Sequence, residues 1–337
     1  MSETAQERIN RYLEDTIAAE RNFENALSAF GKTGVQPAVK QMLSSFSEKA
    51  QTQHQRLTAL LKKRGGSPSE TKTVLAEMLA FTPLSAQIGQ GASEKNTQHL
   101  MVTFAAAAAE MAMYESLAAA ATEADDQEVL SLAQTLQSEE HDDYKQVWSI
   151  LKQSAAEAFQ TEVSKGKKPE AIIGTYLEDA IAAEKSFETQ LEGFSKEADD
   201  ATVKSLFAQH ALETKTQYEQ LTARLEALGG SPSTLKSLLA HVFNFAPKVA
   251  QVGHDATDRL TQDLMMAYAV ENAEVAMYES LAEVARIAGD NQTEELALAI
   301  QQQEKDTAAK VWAQIAPVAR RALAALSPGA PFKEVAL

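Results

Sequence analysis

The feature that most constrains this chain is that it is written twice. The segment Tyr12-Leu-Glu-Asp-Thr-Ile-Ala-Ala-Glu20 recurs 164 residues later as Tyr176-Leu-Glu-Asp-Ala-Ile-Ala-Ala-Glu184. At the same offset Gly65-Gly-Ser-Pro-Ser69 falls on Gly229-Gly-Ser-Pro-Ser233, and Ala112-Met-Tyr-Glu-Ser-Leu-Ala118 on Ala276-Met-Tyr-Glu-Ser-Leu-Ala282. Val147-Trp148 falls on Val311-Trp312. One offset without a gap spans the 337 residues, so the repeated unit has the size of a domain. Solenoid repeats are far shorter, about 20–50 residues. Every difference between the two units then bears on what each has kept.

Each unit predicts four helices. In the first, Ile9, Leu13, Ile17, Glu20, Phe23, Leu27 and Phe30 recur at spacings of three and four, with Gly31 and Gly34 as the stop. A second helix opens at Pro37, a good first-turn residue, and runs through Val39, Leu43, Phe46, Ala50, His54, Leu57 and Leu61 to Gly65-Gly66. The third and fourth cover about 98–124 and 127–158. Short loops make each pair an antiparallel hairpin. The connection from Ser67 to about Thr97 is long enough to cross the bundle; it holds an apolar segment, Val74 to Phe81, and a break at Pro83. Four helices with one long crossover are the ferritin-like arrangement. The expected fold is therefore all-α: a four-helix bundle over 1–160, a polar linker over 161–170 and a second bundle over 171–337. The two are expected to pack as an internal pseudo-dimer, because fusion raises the effective concentration of a partner. A higher oligomer is compatible with this plan.

Composition narrows the function classes. Aromatics are 6% and Gly and Pro are few, as in helical proteins. A net charge of −16 disfavours nucleic acid and anionic membrane surfaces, though acidic solvated faces account for it equally well. The absence of cysteine removes disulfides and thiolate chemistry and fits a reducing compartment. A polar N-terminus and the lack of a long apolar run point to a cytoplasmic protein with no membrane segment.

Acids interrupt the apolar stripes. Glu20 lies in register between Ile17 and Leu27, and Glu110 shares a face with Thr103, Ala107, Tyr114 and Leu117. Glu139 and Asp143 fall among Leu132, Leu136, Val147 and Ile150, while Glu48 flanks Phe46 and Ala50. A buried acid is costly unless paired or metal-bound, and hard carboxylate oxygens suit iron and manganese. His54 stands on the inner stripe of the second helix and can supply an imidazole. Tyr114 and Tyr278, one turn past Glu110 and Glu274, read either as carboxylate-orienting hydroxyls or as amphipathic core. Trp148 and Trp312 read as core anchors, and His210, standing where the first unit has Phe46, as packing.

Leu13-Glu-Asp-Thr-Ile-Ala-Ala-Glu-Arg-Asn-Phe23 resembles the first helix of the YciE/YciF-like ferritin-like proteins. Ala267-Tyr-Ala-Val-Glu-Asn-Ala-Glu-Val-Ala-Met-Tyr278 resembles their third helix, and Thr135-Leu-Gln-Ser-Glu-Glu-His-Asp-Asp143 their acidic fourth. The resemblance implies a ferritin-like bundle, often dimeric, with a dinuclear metal site and a link to stress responses. The family's second helix carries Glu-x-x-His. Here the corresponding positions are Glu48 and Gln51 in the first unit and Leu212 and Lys215 in the second. The repeat also turns Glu139 into Gln303 and Asp143 into Thr307. The second unit keeps Glu184, Glu271 and Glu274, with Glu304 nearby, but Lys215 is expected to repel a cation.

Three readings follow. In the first, a dinuclear iron or manganese centre with peroxide or oxygen handling is built in the first unit alone. Its ligands are Glu20, Glu48, Glu110, Glu139 and Asp143, with His54 as a sixth, and the second unit is degenerate and metal-free. In the alternative, the chain is a non-catalytic helical scaffold or interaction protein whose inward acids are neutralised by neighbours. A third has a small apolar ligand between the Ala-rich helices, lined by Met101, Met111 and Met113.

Overall fold

The computed structural model describes residues 3–33, 36–68, 92–232 and 256–326. Among these are eight helices and no strand: α1 (Ala5–Thr33), α2 (Pro37–Lys63), α3 (Ala92–Glu123), α4 (Gln127–Ser164), α5 (Pro169–Glu197), α6 (Ala201–Ala227), α7 (Ala256–Ala288) and α8 (Asn291–Ala324). The apolar segment from Val74 to Phe81, the Pro83 break and Gly34 lie outside the described residues.

Local chemistry sets the helix ends. Pro37 and Pro169 open α2 and α5, where a missing N–H costs nothing. Asp126, Asp200 and Asp290 cap α4, α6 and α8, each carboxylate accepting an N–H from the first turn. The repeated Gly-Gly ends α2 and α6 in the same way. Gly65 and Gly229 both take φ of 82°, and the following glycine donates its N–H to Leu61 or Leu225 at 3.0 Å. A Cβ on Gly66 or Gly230 would meet that leucine's Cδ1 at 2.5 Å, so neither position accepts a side chain without movement. Gly31 is not a stop. It lies inside α1, where a Cβ would come within 3.0 Å of Ser44 Oγ and hold the α1–α2 hairpin apart. The fourth helix also outruns its expected end, continuing to Ser164 because Ala155, Ala158, Phe159 and Glu162 remain buried.

Helices pair as α1–α2 and α3–α4, then as α5–α6 and α7–α8. Leucines at helical spacing, including Leu13, Leu27, Leu43 and Leu57, are fully buried in the first half; Leu177, Leu191 and Leu221 are their equivalents in the second. Each contributes about 1.5–3 kcal/mol by leaving water. The middle helices are different, because α3 packs on α1, α4, α7 and α8. A helix covered on all sides must be apolar all round, and Ala105 to Ala108 are four consecutive buried residues. The alanine run thus lets α3 and α7 approach at the centre of the molecule.

Polar contacts across the seam are reciprocal, as an internal two-fold requires. The Tyr12 hydroxyl bonds Asp258, which also binds Arg11 Nη2 at 2.6 Å. One repeat on, Tyr176 stands against Glu94: burial and then that charge raise its hydroxyl pKa, and Lys167 reaches Glu94 at 3.7 Å. No described helix is long and apolar enough to cross a membrane.

Candidate metal centre

Each bundle carries its polar residues at mid-height, where helix periodicity brings one or two side chains inward from every helix. In the second half α5 supplies Glu184, one turn beyond Ile181 and one before Phe187. On α6 the buried stripe reads Val203, Phe207, His210, Thr214, Gln217 and Leu221. Glu271, Glu274 and Tyr278 come from α7, and Glu304 from α8, one turn past Ile300. Glu184, Glu271, Glu274 and Glu304 have no exposed surface and His210 almost none.

These side chains converge in two groups that share Glu304. One is His210, Glu271 and Glu304; the other is Glu184, Glu274 and Glu304. In each, the ligand atoms lie within 4.8 Å of one another. His210 Nδ1 is 2.9 Å from Glu271 Oε1, and Nε2 is 3.6 Å from Glu304 Oε2. Neither contact is aligned as a hydrogen bond, so the imidazole is held by charge rather than by a directed N–H. Both oxygens of Glu271 and of Glu274 lack a hydrogen-bond partner, as do Oε2 of Glu184 and of Glu304. The remaining oxygens are held: Tyr278 donates its hydroxyl to Glu184, and Gln217 donates its amide to Glu304. Phe187 meets the imidazole edge-on, with ring centroids 5.4 Å apart, and so fixes its plane.

Electrostatics follows from this crowding. Burial, reinforced by neighbouring carboxylates, holds Glu184 and Glu274 well above the ordinary range. Glu271 is also raised by burial, although His210 opposes the shift. Burial disfavours the His210 imidazolium, but Glu271 and Glu304 outweigh it and lift its pKa to about 10. Without a cation, burial and crowding favour the neutral forms of Glu184, Glu271 and Glu274, while the neighbouring carboxylates favour the His210 imidazolium. A cation there displaces protons.

The first half holds a reduced version. Glu20, Glu110 and Glu140 are buried, Tyr114 donates to Glu20, and Gln53 donates to Glu140 Oε1 at 2.7 Å. Where the second half has His210 and Glu271, this half has Phe46 and Ala107. Burial and the Asp143 charge raise Glu140 to about 7. Among the described residues, no first-half set of three meets the spacing that the second-half groups meet.

Of the residues expected to form a first-half centre, Glu20 and Glu110 reach the interior. Glu48 points to solvent. Glu139 is turned outward onto Arg56, with contacts of 2.8 and 3.1 Å, and its neighbour Glu140 takes the inward place. Asp143 is bound by Lys49 at 2.8 Å. His54 sits half-buried, 3.7 Å from Glu24, because the inner stripe of α2 passes through Gln53. The convergent groups therefore fall in the half expected to be degenerate. Lys215 and Leu212 are exposed and do not enter the centre. His210, read as packing by analogy with Phe46, is buried against Phe187 and also joins one of the convergent groups. Its place four before Thr214 and seven before Gln217, on the stripe ending at Leu221, was the available signal. Tyr114 and Tyr278 are both core and carboxylate partners.

The chain matches the family described as "Domain of unknown function (DUF892)" twice, over residues 4–160 and 170–324. That is the YciF-like ferritin-like family. A crystal structure of a protein from Xanthomonas campestris pv. campestris is 27% identical, with a TM-score of 0.41; the match covers 47% of this chain and 98% of that one.

Proposed function

This chain belongs in both halves to the DUF892 family, and on that footing we propose that it is a carboxylate metal-binding protein with its centre in the second half. The observation that carries the reading is the convergence of His210, Glu184, Glu271, Glu274 and Glu304, buried together with no Lys or Arg among them and with both oxygens of Glu274 and one each of Glu184 and Glu271 left without a partner. Leaving such groups unpaired is strongly unfavourable, and a cation satisfies them. His210, Glu271 and Glu304 would hold one ion and Glu184, Glu274 and Glu304 a second, with Glu304 shared. Iron or manganese suits this mix of hard oxygens and one imidazole, and supplies one-electron chemistry toward oxygen or peroxide of the kind a stress-associated protein needs.

The chain's own residues prepare the place. Tyr278 and Gln217 each occupy one oxygen of Glu184 and Glu304, which fixes the carboxylates and leaves the other oxygen free. Phe187 holds the imidazole plane, and the surrounding helices exclude bulk water. In the first half, Phe46, Ala107, Lys49 and Arg56 support the scaffold reading instead. There two inward positions are apolar and the outer acids are ion-paired, although Glu20, Glu110 and Glu140 keep unpartnered oxygens.

The test is metal content by mass spectrometry on untagged, chelator-free protein, beside Glu184→Gln/Glu304→Gln and Glu20→Gln/Glu110→Gln variants. Iron or manganese that persists in the first-half variant and vanishes in the second-half variant is the expected result. Absence of metal from the parent chain even after anaerobic iron loading would sink the reading.

A further inference from the structure

The seam between the halves contains a cleft of about 660 Å³, walled by α3 and α4 of the first half and α7 and α8 of the second. Small-molecule sites occupy about 300–1,000 Å³. The duplication supplies an internal template for what this cleft lacks. In the first half Tyr144 stacks on Phe104, with ring centroids 3.9 Å apart and planes 25° from parallel, and Trp148 completes the set at 5.3 Å. One repeat on, Tyr268 replaces Phe104 and Trp312 replaces Trp148, at 4.9 Å from each other. The third ring is absent, because Ala308 stands where the first half has Tyr144. Ala308, Tyr268 and Trp312 all line the cleft, so the position of the missing ring is open to it.

The same cleft carries positive charge in a chain whose net charge is −16. Lys305 lines it and supplies that charge. The Lys305 ammonium donates to Gln301 Oε1 at 2.8 Å and lies 5.2 Å from the Trp148 ring centroid. Among the described residues it forms no ion pair. At the floor, Asn272 is buried and already committed, accepting from the Tyr144 hydroxyl and donating to the Tyr268 carbonyl.

We propose that this cleft is a binding site for a flat aromatic carboxylate. Its ring would occupy the place Ala308 leaves vacant, against Tyr268 and Trp312, and its carboxylate would pair with Lys305. A tilted aromatic pair that lacks the third ring its counterpart has favours a planar π-system, and a half-buried ammonium without a counter-ion favours an anion. The site is separate from the metal centre and does not rest on it.

The test is titration calorimetry of the full chain with 2-naphthoate and with 2-naphthylmethanol, the same ring system without the charge. Saturable binding of one naphthoate per chain is expected, with the alcohol weaker by about tenfold or more, as loss of a charge-assisted contact implies. Lys305→Met should bring the two ligands together. Ala308→Tyr restores the ring that the first half holds, and should abolish binding while metal content stays unchanged. If that variant fails to fold, Ala309→Tyr plugs the cleft from its exposed rim and should give the same loss. No saturation at millimolar naphthoate, or binding that neither tyrosine variant disturbs, overturns the proposal.

Discussion

The two bundle centres share a backbone plan, two carboxylate-anchoring groups and three buried acids, yet differ at the positions that decide what they can hold. Tyr114 on Glu20 and Gln53 on Glu140 repeat as Tyr278 on Glu184 and Gln217 on Glu304. Against that constant frame, Phe46 faces the role of His210 and Ala107 that of Glu271. The outer acids of the first half, Glu139 and Asp143, are answered by Arg56 and Lys49, whereas the second half has Gln303 and Thr307 there. Both halves keep unpartnered oxygens on their three inner acids, but the first has carbon where the second adds an imidazole and a fourth acid, and it pairs its outer acids with Arg56 and Lys49. The comparison teaches that one copy of a duplicated bundle can lose inward polar groups while keeping the tyrosine and glutamine contacts that hold the remaining acids.

The sharpest way to break the comparison is to exchange the deciding residues. His210→Phe with Glu271→Ala gives the second half the first half's pair, and should remove its metal altogether. The loss should exceed the roughly 10–100-fold that outer partners of a metal site are worth. The reciprocal Phe46→His with Ala107→Glu should add metal to the first half. Anaerobic loading followed by mass spectrometry reads both. If both variants match the parent's metal content, these two positions do not separate the halves.

A second test uses pH on metal-free protein. Glu140 is held at about 7, against an ordinary 4.5, by burial and by Asp143. A carboxyl whose folded pKa is raised keeps its proton while the unfolded chain loses it. Stability is therefore full below about pH 4.5 and falls as pH rises through about 7, by about 3 kcal/mol for this group alone. Glu184, Glu271 and Glu274 are shifted in the same direction, so the second half should lose stability over a wider range upward. Melting temperatures between pH 5 and 8 should fall, and Glu140→Gln should flatten the Glu140 part of the slope. A profile that rises over this window would contradict the buried-acid assignment.

Much of this was legible in the sequence, and the part that was not has a physical cause. The constant offset and helical period led to eight helices in two halves, because apolar spacing and Pro/Gly punctuation are local signals. Tyr114 and Tyr278 were legible for the same reason. The inward register was not. Glu139 and Glu140 are consecutive, as are Gln53 and His54, and each step along a helix turns a side chain by about 100°. Choosing between neighbours then depends on where the bundle axis lies, which packing settles. Reading His210 through Phe46 assumed that the first half was the template, whereas the two halves differ in residue type at that inward position.

A smaller effect should sharpen the contrast further. Tyr114→Phe and Tyr278→Phe each remove a hydroxyl from a buried carboxylate, and should each cost about 1–3 kcal/mol in metal-free protein. Only Tyr278→Phe should also weaken metal binding, by about 10–100-fold, since only Glu184 belongs to a convergent group. Chemical denaturation and metal titration separate the two. Equal metal affinities in the two variants would remove the distinction.

The smallest expected effect discriminates the register itself. Glu48 is exposed and His54 half-buried beside Glu24, so Glu48→Ala and His54→Ala should change stability by no more than about 0.5 kcal/mol and leave metal content alone. Gln53 is one residue from His54, is buried and holds Glu140 at 2.7 Å; Gln53→Ala orphans that oxygen and should cost about 1–3 kcal/mol. Denaturation of the three variants side by side thus measures which of two adjacent side chains faces the bundle axis. A larger cost at His54 than at Gln53 would rotate α2 by one position and bring the imidazole back toward the first-half acids.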